Sequence, residues 1–269
     1  MTHAAATPDL LATIVAAARR ITDVRREQVP EARLASLAEQ RRPDGASFVR
    51  ALRDGTAPRV IAECKRRSPS RGILRQDYQA AAHAAAYAAA GAAAISVLTE
   101  PTFFDGALAD LAAVRQAVDV PLLRKDFIVE RYQVVEAAAN GADAILLIVG
   151  ALTPAALAER LAEAREFGLA ALVEVHDGNE LSVAADAGAE IIGVNSRNLR
   201  TLSVEPALHE QLAPRIPKGA IAVAESGLRD RSDIERLTHA GYHAFLVGER
   251  LIAEPNPGAA LRALREGPA

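Results

Sequence analysis

The chain has few residues of several types, and each shortage narrows what it can be. Its 269 residues include no Trp, one Met and one Cys, and only 4% are aromatic. The single cysteine, Cys64, excludes an internal disulfide and is typical of a protein from a reducing cytosol. Because aromatic residues are scarce, the core must be built mainly from Ala, Leu, Val and Ile.

Positive charge and long apolar segments are also lacking. Lys and Arg number 31 against 34 Asp and Glu, for a net charge of −3, whereas nucleic-acid-binding domains are usually basic. The longest nearly uncharged run, residues 84–98, contains Gly91 and is shorter than the roughly 20 residues that span a bilayer. The first residues lack the basic start of a signal peptide. We therefore expect a cytoplasmic protein that binds neither nucleic acid nor a membrane.

An internal repeat organises the chain. A Gly-Ala-x-Ala-Ile pattern or a close variant begins at Gly91, Gly141, Gly188 and Gly241, at intervals of 47 to 53 residues. Each glycine follows a predicted helix, where a left-handed cap suits it, and precedes an apolar strand. Such a period can indicate a solenoid. Here each period contains two strands and two helices, which is a quarter of an eightfold barrel.

Short, continuous apolar runs predict eight strands that are buried on both faces, as in a parallel sheet. They are residues 59–64, 94–98, 121–125, 144–148, 170–175, 191–194, 220–224 and 244–247. Helical segments lie between them, including residues 78–90, 107–118, 133–140, 154–167 and 230–240. This alternation, in a chain close to the usual 250 residues or so, predicts an α/β fold of the (β/α)8 TIM-barrel type.

About 55 residues precede the first strand, more than a minimal barrel needs. We predict one domain over residues 1–269, with an N-terminal helical extension at about 1–55 and the barrel at about 56–269. One helical face of the extension is apolar; it carries Leu10, Leu11, Ile14, Val15 and Ala18. We expect this helix to lie against the barrel. A basic cluster follows, and we expect it to be a solvated face, although phosphate or partner binding is an alternative; it consists of Arg19, Arg20, Arg25 and Arg26.

Charged residues stand where the predicted strands end, although burying an unpaired charge costs several kcal/mol. Glu63 and Lys65 end the first strand, Lys125 the third and Glu174 the fifth. Active sites of TIM barrels lie at the C-terminal ends of the strands, so we expect these side chains to meet there. Strand alternation places Cys64 on the opposite face, packed beneath the helices.

The residue types at these ends suit proton transfer. Lys125 can donate a proton, with a pKa that burial lowers or that carboxylates raise; a Schiff base on it is the alternative. Glu174 and His176 share a face, and either could be a base. We favour Glu174, which lies deeper, and expect His176 to be solvated. Phe127, on the face of Lys125, can stack on a planar substrate.

The later strands indicate an anionic, phosphorylated small substrate. Asn195 and Arg197 can hold a carboxylate or hydroxyls. Gly227 and Gly248 follow the seventh and eighth strands, where barrels bind phosphate through backbone N–H groups. The histidines show no metal-binding spacing, and we expect no metal.

Eight segments together resemble one family of enzymes. They are Ile61–Ser70, Ser96–Pro101 with Phe103 and Phe104, Leu123–Ile128, Ala142–Leu147, Leu172–His176, Gly193–Leu199, Glu225–Leu228 and Val247–Glu249. In these segments the chain resembles the indole-3-glycerol-phosphate synthases of tryptophan biosynthesis. The resemblance extends from about residue 8 to residue 265, and other phosphate-binding barrels share only the last two motifs.

This resemblance implies a reaction and roles for residues. The family converts 1-(2-carboxyphenylamino)-1-deoxyribulose 5-phosphate to indole-3-glycerol phosphate, carbon dioxide and water, with no cofactor or metal. Lys125 would be the general acid, Glu174 would act in the dehydration, and Glu63 would be a second acid/base or orienting group. Lys65 would hold a substrate anion and position Lys125. Substrate contacts would come from Asn195 and Arg197, a ring pocket of Phe127, Leu146 and Leu199, and phosphate-binding residues Ser68, Ser226, Gly227, Gly248 and Glu249.

Glu249 departs from the small hydroxyl residue of some family members, and a carboxylate would repel phosphate. We expect its backbone N–H to face the phosphate and its side chain to point away. Two alternatives remain, a related barrel enzyme such as phosphoribosylanthranilate isomerase and a non-catalytic phosphate-binding barrel. Cys64 argues against the isomerase, which is expected to use a Cys or Asp pair, because it should face away from the site. We expect a monomer.

Overall fold

Eight parallel strands form a closed barrel in the computed structural model, which describes residues 9–267. Each strand pairs with its sequence neighbour, and the last pairs with the first. The strands are β1 (Arg59–Cys64), β2 (Ala94–Leu98), β3 (Leu122–Lys125), β4 (Ala144–Ile148), β5 (Ala170–Val175), β6 (Ile191–Asn195), β7 (Ile221–Glu225) and β8 (Ala244–Val247). The predicted TIM barrel is confirmed, and no predicted strand end is wrong by more than one residue.

Helices connect the strands and cover the outside of the barrel. They are α1 (Leu10–Gln28), α2 (Glu31–Arg41), α3 (Gly45–Arg53), α4 (Ala80–Ala89), α5 (Pro101–Phe104), α6 (Leu108–Ala117), α7 (Arg131–Ala139), α8 (Pro154–Glu166), α9 (Gly178–Asp186), α10 (Ala207–Leu212), α11 (Arg231–His239), α12 (Glu249–Ile252) and α13 (Pro257–Glu266). A small hairpin of Arg67–Ser68 and Gly72–Ile73 follows β1. In the described part of the chain, no helix is both long enough and apolar enough to cross a bilayer.

The glycines of the internal repeat end helices as predicted. Their φ angles are 82° at Gly91, 94° at Gly141, 73° at Gly188 and 107° at Gly241. Residues with a Cβ are strained in this left-handed region. The repeat therefore marks the point where each of four helices turns back into the next strand.

Alternate strands fill the barrel in layers, as is usual for this fold. The middle layer from the odd strands is apolar and buried, and consists of Ile61, Leu123, Leu172 and Val223. Two residues further along the same strands, the next layer is charged and consists of Glu63, Lys125, Glu174 and Glu225. Side chains two residues apart on a strand point to the same side, so the charged layer lies directly above the apolar one. It forms the floor of the cavity.

The extension before the barrel consists of three helices, so the prediction of one helix against the barrel is incomplete. Pro30 precedes α2, and the Asp44 side chain caps α3. Phe48 and Leu52 of α3 are fully buried and pack with the barrel interior. The apolar face of α1 is buried as predicted, with Ile14 at its centre. Residues 1–8 of the predicted extension, and 268–269 of the predicted barrel, lie outside the described residues.

The basic cluster of α1 forms ion pairs with the start and middle of α7. Arg19 and Arg26 both contact Glu130, and Arg25 Nη1 lies 3.1 Å from Glu136 Oε2. Arg19, Arg20 and Arg26 are exposed, as predicted, and the ion pairs of Arg19, Arg25 and Arg26 also attach the extension to the barrel.

Candidate active site

A cavity of about 290 Å³ opens at the C-terminal ends of the strands. Every residue predicted for the site lines it: Glu63, Lys65, Ser68, Lys125, Phe127, Leu146, Glu174, Asn195, Arg197, Leu199, Ser226, Gly227, Gly248 and Glu249. Cys64 faces the opposite way, as expected, since its Sγ lies 3.8 Å from the Ala80 carbonyl oxygen among the helices. Burial raises the pKa of this thiol.

Lys125 lies at the centre of the charged floor. Its Nζ donates to Glu174 Oε2 at 3.1 Å and to Glu225 Oε2 at 3.2 Å. Burial lowers the pKa of this amine, but the carboxylates of Glu174, Glu225 and Glu63 outweigh burial and raise the pKa above its usual value. Lys125 is therefore an ammonium at neutral pH, which opposes a Schiff base because that needs the free amine.

Glu174 and His176 form a pair at the end of β5. His176 Nε2 lies 3.2 Å from Glu174 Oε1, and Nδ1 lies 3.1 Å from Glu180 Oε2. Burial lowers the pKa of His176, but its hydrogen bonds to Glu174 and Glu180 outweigh burial and raise the pKa to about 10. The expected solvated histidine is therefore wrong: His176 is an enclosed imidazolium and cannot accept a proton at neutral pH.

The carboxylate of Glu174 is held in its charged form. Burial raises its pKa, but Lys125 and His176 outweigh this effect and hold the pKa below its usual range. Of the two residues that share this face of β5, only Glu174 can thus accept a proton near pH 7.

Glu225, at the end of β7, has the opposite character. Burial raises the pKa of its carboxyl group to about 8, and the neighbouring Glu174 charge adds to this effect while Lys125 opposes it. Two carboxylates that share one lysine cannot both ionise easily. Of the two carboxyl groups beside the Lys125 ammonium, Glu174 therefore favours the ionised form and Glu225 the protonated form.

This shifted pKa predicts how stability depends on pH. From about pH 4.5, the usual pKa of the group, to about pH 8, the unfolded chain loses a proton that folded Glu225 keeps. The contribution of Glu225 to the free energy of unfolding must then fall as the pH rises from about 4.5 to about 8. Glu225→Gln should gain stability relative to the wild type across the window and keep a constant difference above it. Denaturant unfolding of both proteins from about pH 5 to pH 9 checks this, and a pH-independent difference would contradict it.

Glu63 and Lys65 form a close pair at the end of β1. Lys65 Nζ lies 2.5 Å from Glu63 Oε1, and both side chains are largely buried. The same Glu63 oxygen would clash with a Cβ at position 248. Gly248 is therefore required at the end of β8 so that the Glu63 carboxyl group can occupy the floor.

Apolar side chains form one wall of the cavity. Phe127 is buried and its ring lies 6.1 Å from that of Phe104, at 35° to it. The predicted Leu146 and Leu199 line the same cavity, and α1 adds Ile14. A planar aromatic group can pack against such a wall.

The turn after β7 suits an anion. Ser226 and Gly227 have successive positive φ angles of 64° and 72°, and the hairpin after β1 brings the buried Ser68 to the same cavity. Turns of this kind present backbone N–H groups that bind anions.

The Glu249 side chain does not point away from this region, so that expectation is wrong. Its carboxylate lines the cavity and lies 3.4 Å from Arg197 Nη2 and 4.0 Å from Lys65 Nζ. The physical reason is charge: cations from β1 and β6 converge on the end of β8 and attract the carboxylate inward. Arg197 also donates to the Ser70 hydroxyl at 3.2 Å.

A buried ionic network fixes the segment that carries Lys125. Arg124 is fully buried, and its Nη2 lies 2.9 Å from both Asp126 Oδ2 and Glu136 Oε2. Asp126 Oδ1 accepts the Phe127 backbone N–H at 2.8 Å. Since Arg124 and Asp126 flank Lys125, the network holds the end of β3 from behind.

Removal of the guanidinium should therefore be costly. Arg124→Met leaves the buried Asp126 carboxylate without its cation, and we expect the free energy of unfolding to fall by about 3–5 kcal/mol. Arg231→Met, which breaks a largely exposed pair with Glu235, should cost less than about 1 kcal/mol. Urea denaturation of the two variants measures both values. Equal, small losses would show that the buried network contributes little.

Comparison with known proteins identifies the family of this site. The sequence profile described as "Indole-3-glycerol phosphate synthase" matches residues 11–264. The chain belongs to the indole-3-glycerol phosphate synthase family. It is 52% identical to the indole-3-glycerol phosphate synthase of Sulfurimonas denitrificans over 209 residues, 78% of this chain and 80% of that protein. It is 48% identical to indole-3-glycerol phosphate synthase 2 of Streptomyces coelicolor over 256 residues, 95% and 98% of the two chains.

Two solved structures with a similar fold share less sequence with the chain. A 3-hexulose-6-phosphate synthase matches with a TM-score of 0.61 at 16% identity, over 78% of this chain and all of that one (100%). A thiamine phosphate pyrophosphorylase from Pyrococcus furiosus matches with a TM-score of 0.57 at 16% identity, over 77% and 93%. These structures support the barrel alone. Membership of the indole-3-glycerol phosphate synthase family makes the chain a carboxy-lyase of tryptophan biosynthesis with a phosphorylated small-molecule substrate.

Among the residues that line this indole-3-glycerol phosphate synthase site, Glu225 and Phe104 are two that sequence reasoning did not predict. Glu225 ends β7 as Glu63, Lys125 and Glu174 end β1, β3 and β5, so the same strand-end signal was present in the sequence. Phe104 lies in a short helix after β2, and its position beside Phe127 depends on how that loop folds back. No local pattern indicates such a contact.

Proposed function

We propose that this cavity binds 1-(2-carboxyphenylamino)-1-deoxyribulose 5-phosphate and closes its indole ring through the charged floor around Lys125. The observation that carries the proposal is Lys125 Nζ between the carboxyl groups of Glu174 and Glu225, at 3.1 and 3.2 Å. Ring closure needs a proton at a carbonyl oxygen, and dehydration needs a proton removed elsewhere. Groups with separated pKa values provide both.

Lys125 is the acid of the first step. The ring carbon that bears the carboxylate attacks the ketose carbonyl carbon, and the ammonium gives a proton to the carbonyl oxygen as the bond forms. Loss of carbon dioxide then returns the bonding electrons to the ring and restores its aromaticity. The nearby carboxylates raise the pKa of Lys125, which supports this role. The amine then keeps its proton until the carbonyl oxygen of the substrate becomes basic.

Glu174 is the base of the dehydration that follows. Its ionised carboxyl group removes a proton from the carbon next to nitrogen, and the hydroxyl leaves as water after it gains a proton from a neighbouring acid. Glu225, with a pKa of about 8, holds a proton for this purpose at neutral pH and can also return one to Lys125. Glu63 and Lys65 orient the reacting groups.

The remaining proposed contacts hold the substrate. Asn195 and Arg197 orient its polar groups, and Phe127, Leu146 and Leu199 enclose its aromatic ring. The phosphate lies at the turns after β7 and β8, near Ser68, Ser226, Gly227, Gly248 and the backbone of Glu249. Each proposed step uses side chains alone, so we propose activity without a metal or cofactor.

We further propose that the protein works in the cytoplasm as a monomer and without nucleic acid.

We also propose that the extension and the barrel are one domain. The α1 helix contributes Leu10 and Ile14 to the cavity, which supports this proposal.

The test of the proposed function uses two substrates. Purified protein with EDTA is mixed with the carboxyphenylamino-deoxyribulose phosphate, and separately with N-(5-phosphoribosyl)anthranilate. Indole fluorescence should appear with the first compound and not with the second. Turnover of the second compound without indole would instead identify an isomerase, and loss of activity in EDTA would contradict the metal-free steps.

A further inference from the structure

Four charged side chains meet at the rim of the cavity near the turns after β7 and β8. Both Glu249 carboxylate oxygens lie 3.4 Å from Arg197 Nη2. Oε1 lies 4.0 Å from Lys65 Nζ, and Oε2 lies 4.0 Å from Arg71 Nη1. One carboxylate thus faces three cations, and all of these contacts are longer than the roughly 2.7–2.9 Å of a strong charged hydrogen bond.

Long contacts of this kind leave the cations available. Lys65 has a much shorter contact to Glu63, at 2.5 Å, and Arg197 is also held by the Ser70 hydroxyl. Their positions therefore do not depend on Glu249 alone. A tetrahedral anion carries three acceptor oxygens and up to two charges, so it can satisfy cations arranged in this way better than one carboxylate does.

We propose that the Glu249 carboxylate is an internal competitor of the substrate phosphate for Arg197, Lys65 and Arg71. The inference rests on the proposed function in one respect, the position of the phosphate at the turns after β7 and β8. A phosphate bound to the same cations would lie next to the Glu249 carboxylate, and the two negative charges would repel each other. Glu249 must therefore give up these cations when the phosphate binds. Glu249 then lowers the affinity of the site for phosphate groups.

The consequence is weaker binding of free inorganic phosphate. Every tetrahedral anion meets the same competition from Glu249. Inorganic phosphate has only the rim contacts to offset it, whereas the substrate adds the apolar wall at Phe127 and the polar floor at Lys125. The competition therefore lowers both affinities by a similar factor, and only the substrate has enough further contacts to stay tightly bound.

Glu249→Gln tests the competition because it removes the charge and keeps the size of the side chain. We expect the inhibition constant of inorganic phosphate to fall about tenfold, or roughly 1.4 kcal/mol, and the KM of the substrate to fall in the same direction. Glu249→Ser, with a small hydroxyl, should change both values likewise. Glu235→Gln removes the charge of an exposed carboxylate on α11 and should change neither.

Three outcomes would overturn the proposal. An unchanged or larger inhibition constant for phosphate in both variants would show that Glu249 positions Arg197 instead of competing. A gain in affinity for benzoate but not for phosphate would assign these cations to the carboxylate end of the substrate. Calorimetric binding of inorganic phosphate that is equal in all variants would also contradict it. Because calorimetry needs no turnover, failure of this inference is distinguishable from failure of the proposed function, which would appear as an inactive wild type.

Discussion

Lys125→Ala should lower turnover by at least about 10²-fold, the usual scale for loss of a general acid. The change removes an ammonium that bonds to both Glu174 and Glu225, and it leaves the attacked carbonyl oxygen without its proton donor. Steady-state indole fluorescence at saturating substrate measures the effect. Near-normal turnover would remove Lys125 from the role.

The chain offers a matched control for this variant. Lys218 is an exposed lysine in the loop before β7, and Lys218→Ala should leave turnover within about twofold of the wild type, since surface changes away from a site have small effects. Loss of the Lys125 charge also leaves the buried carboxyl groups of Glu174 and Glu225 without their shared cation, which can lower stability. Thermal unfolding of each variant must therefore be measured together with the kinetics. Lys125→Met, which retains most of the side-chain volume, distinguishes loss of the acid from collapse of the floor.

Glu174→Gln should lower turnover by about 10²-fold with little change in KM, because the carboxylate acts on a proton after the substrate is bound. Gln keeps the shape of the side chain but cannot accept the proton that dehydration releases. The comparison of kcat with KM is the measurement. A loss confined to KM would show that Glu174 binds the substrate instead.

Glu180→Gln is the control for Glu174→Gln, because it also removes a negative charge beside His176. Glu180 accepts from both the backbone N–H and the ring of His176, but it lies outside the cavity lining. We expect it to alter turnover far less than Glu174→Gln does. Equal losses in the two variants would assign the effect to the charge of His176 and not to a base at position 174.

The barrel and most of the site could be predicted because strand alternation encodes them locally. Glu63 and Lys65 flank Cys64 in sequence, and a period of two is enough to send the charges inward and the thiol outward. The same rule applies at Lys125 and Glu174. The four turns that end helices could also be predicted, because a positive φ favours glycine. They lie at Gly91, Gly141, Gly188 and Gly241.

Features that depend on contacts between distant segments could not be predicted. The enclosure of His176 is an exception, because Glu180 lies only four residues further on. What the sequence does not show is that the Glu180 carboxylate turns back to the His176 ring. The Glu249 side chain points inward because Lys65 and Arg197, which follow β1 and β6, attract it. The protonated state of Glu225 likewise follows from burial beside Glu174.

The order of the two proton transfers is the central claim, and a single-turnover experiment tests it most directly. Enzyme in excess is mixed with the carboxyphenylamino-deoxyribulose phosphate, and released carbon dioxide and indole fluorescence are followed together. The account predicts that Lys125→Ala releases neither product at the normal rate, whereas Glu174→Gln releases carbon dioxide while indole lags behind. Carbon dioxide released at the wild-type rate by Lys125→Ala, or the loss of both products in step in Glu174→Gln, would contradict the assignment of the two residues.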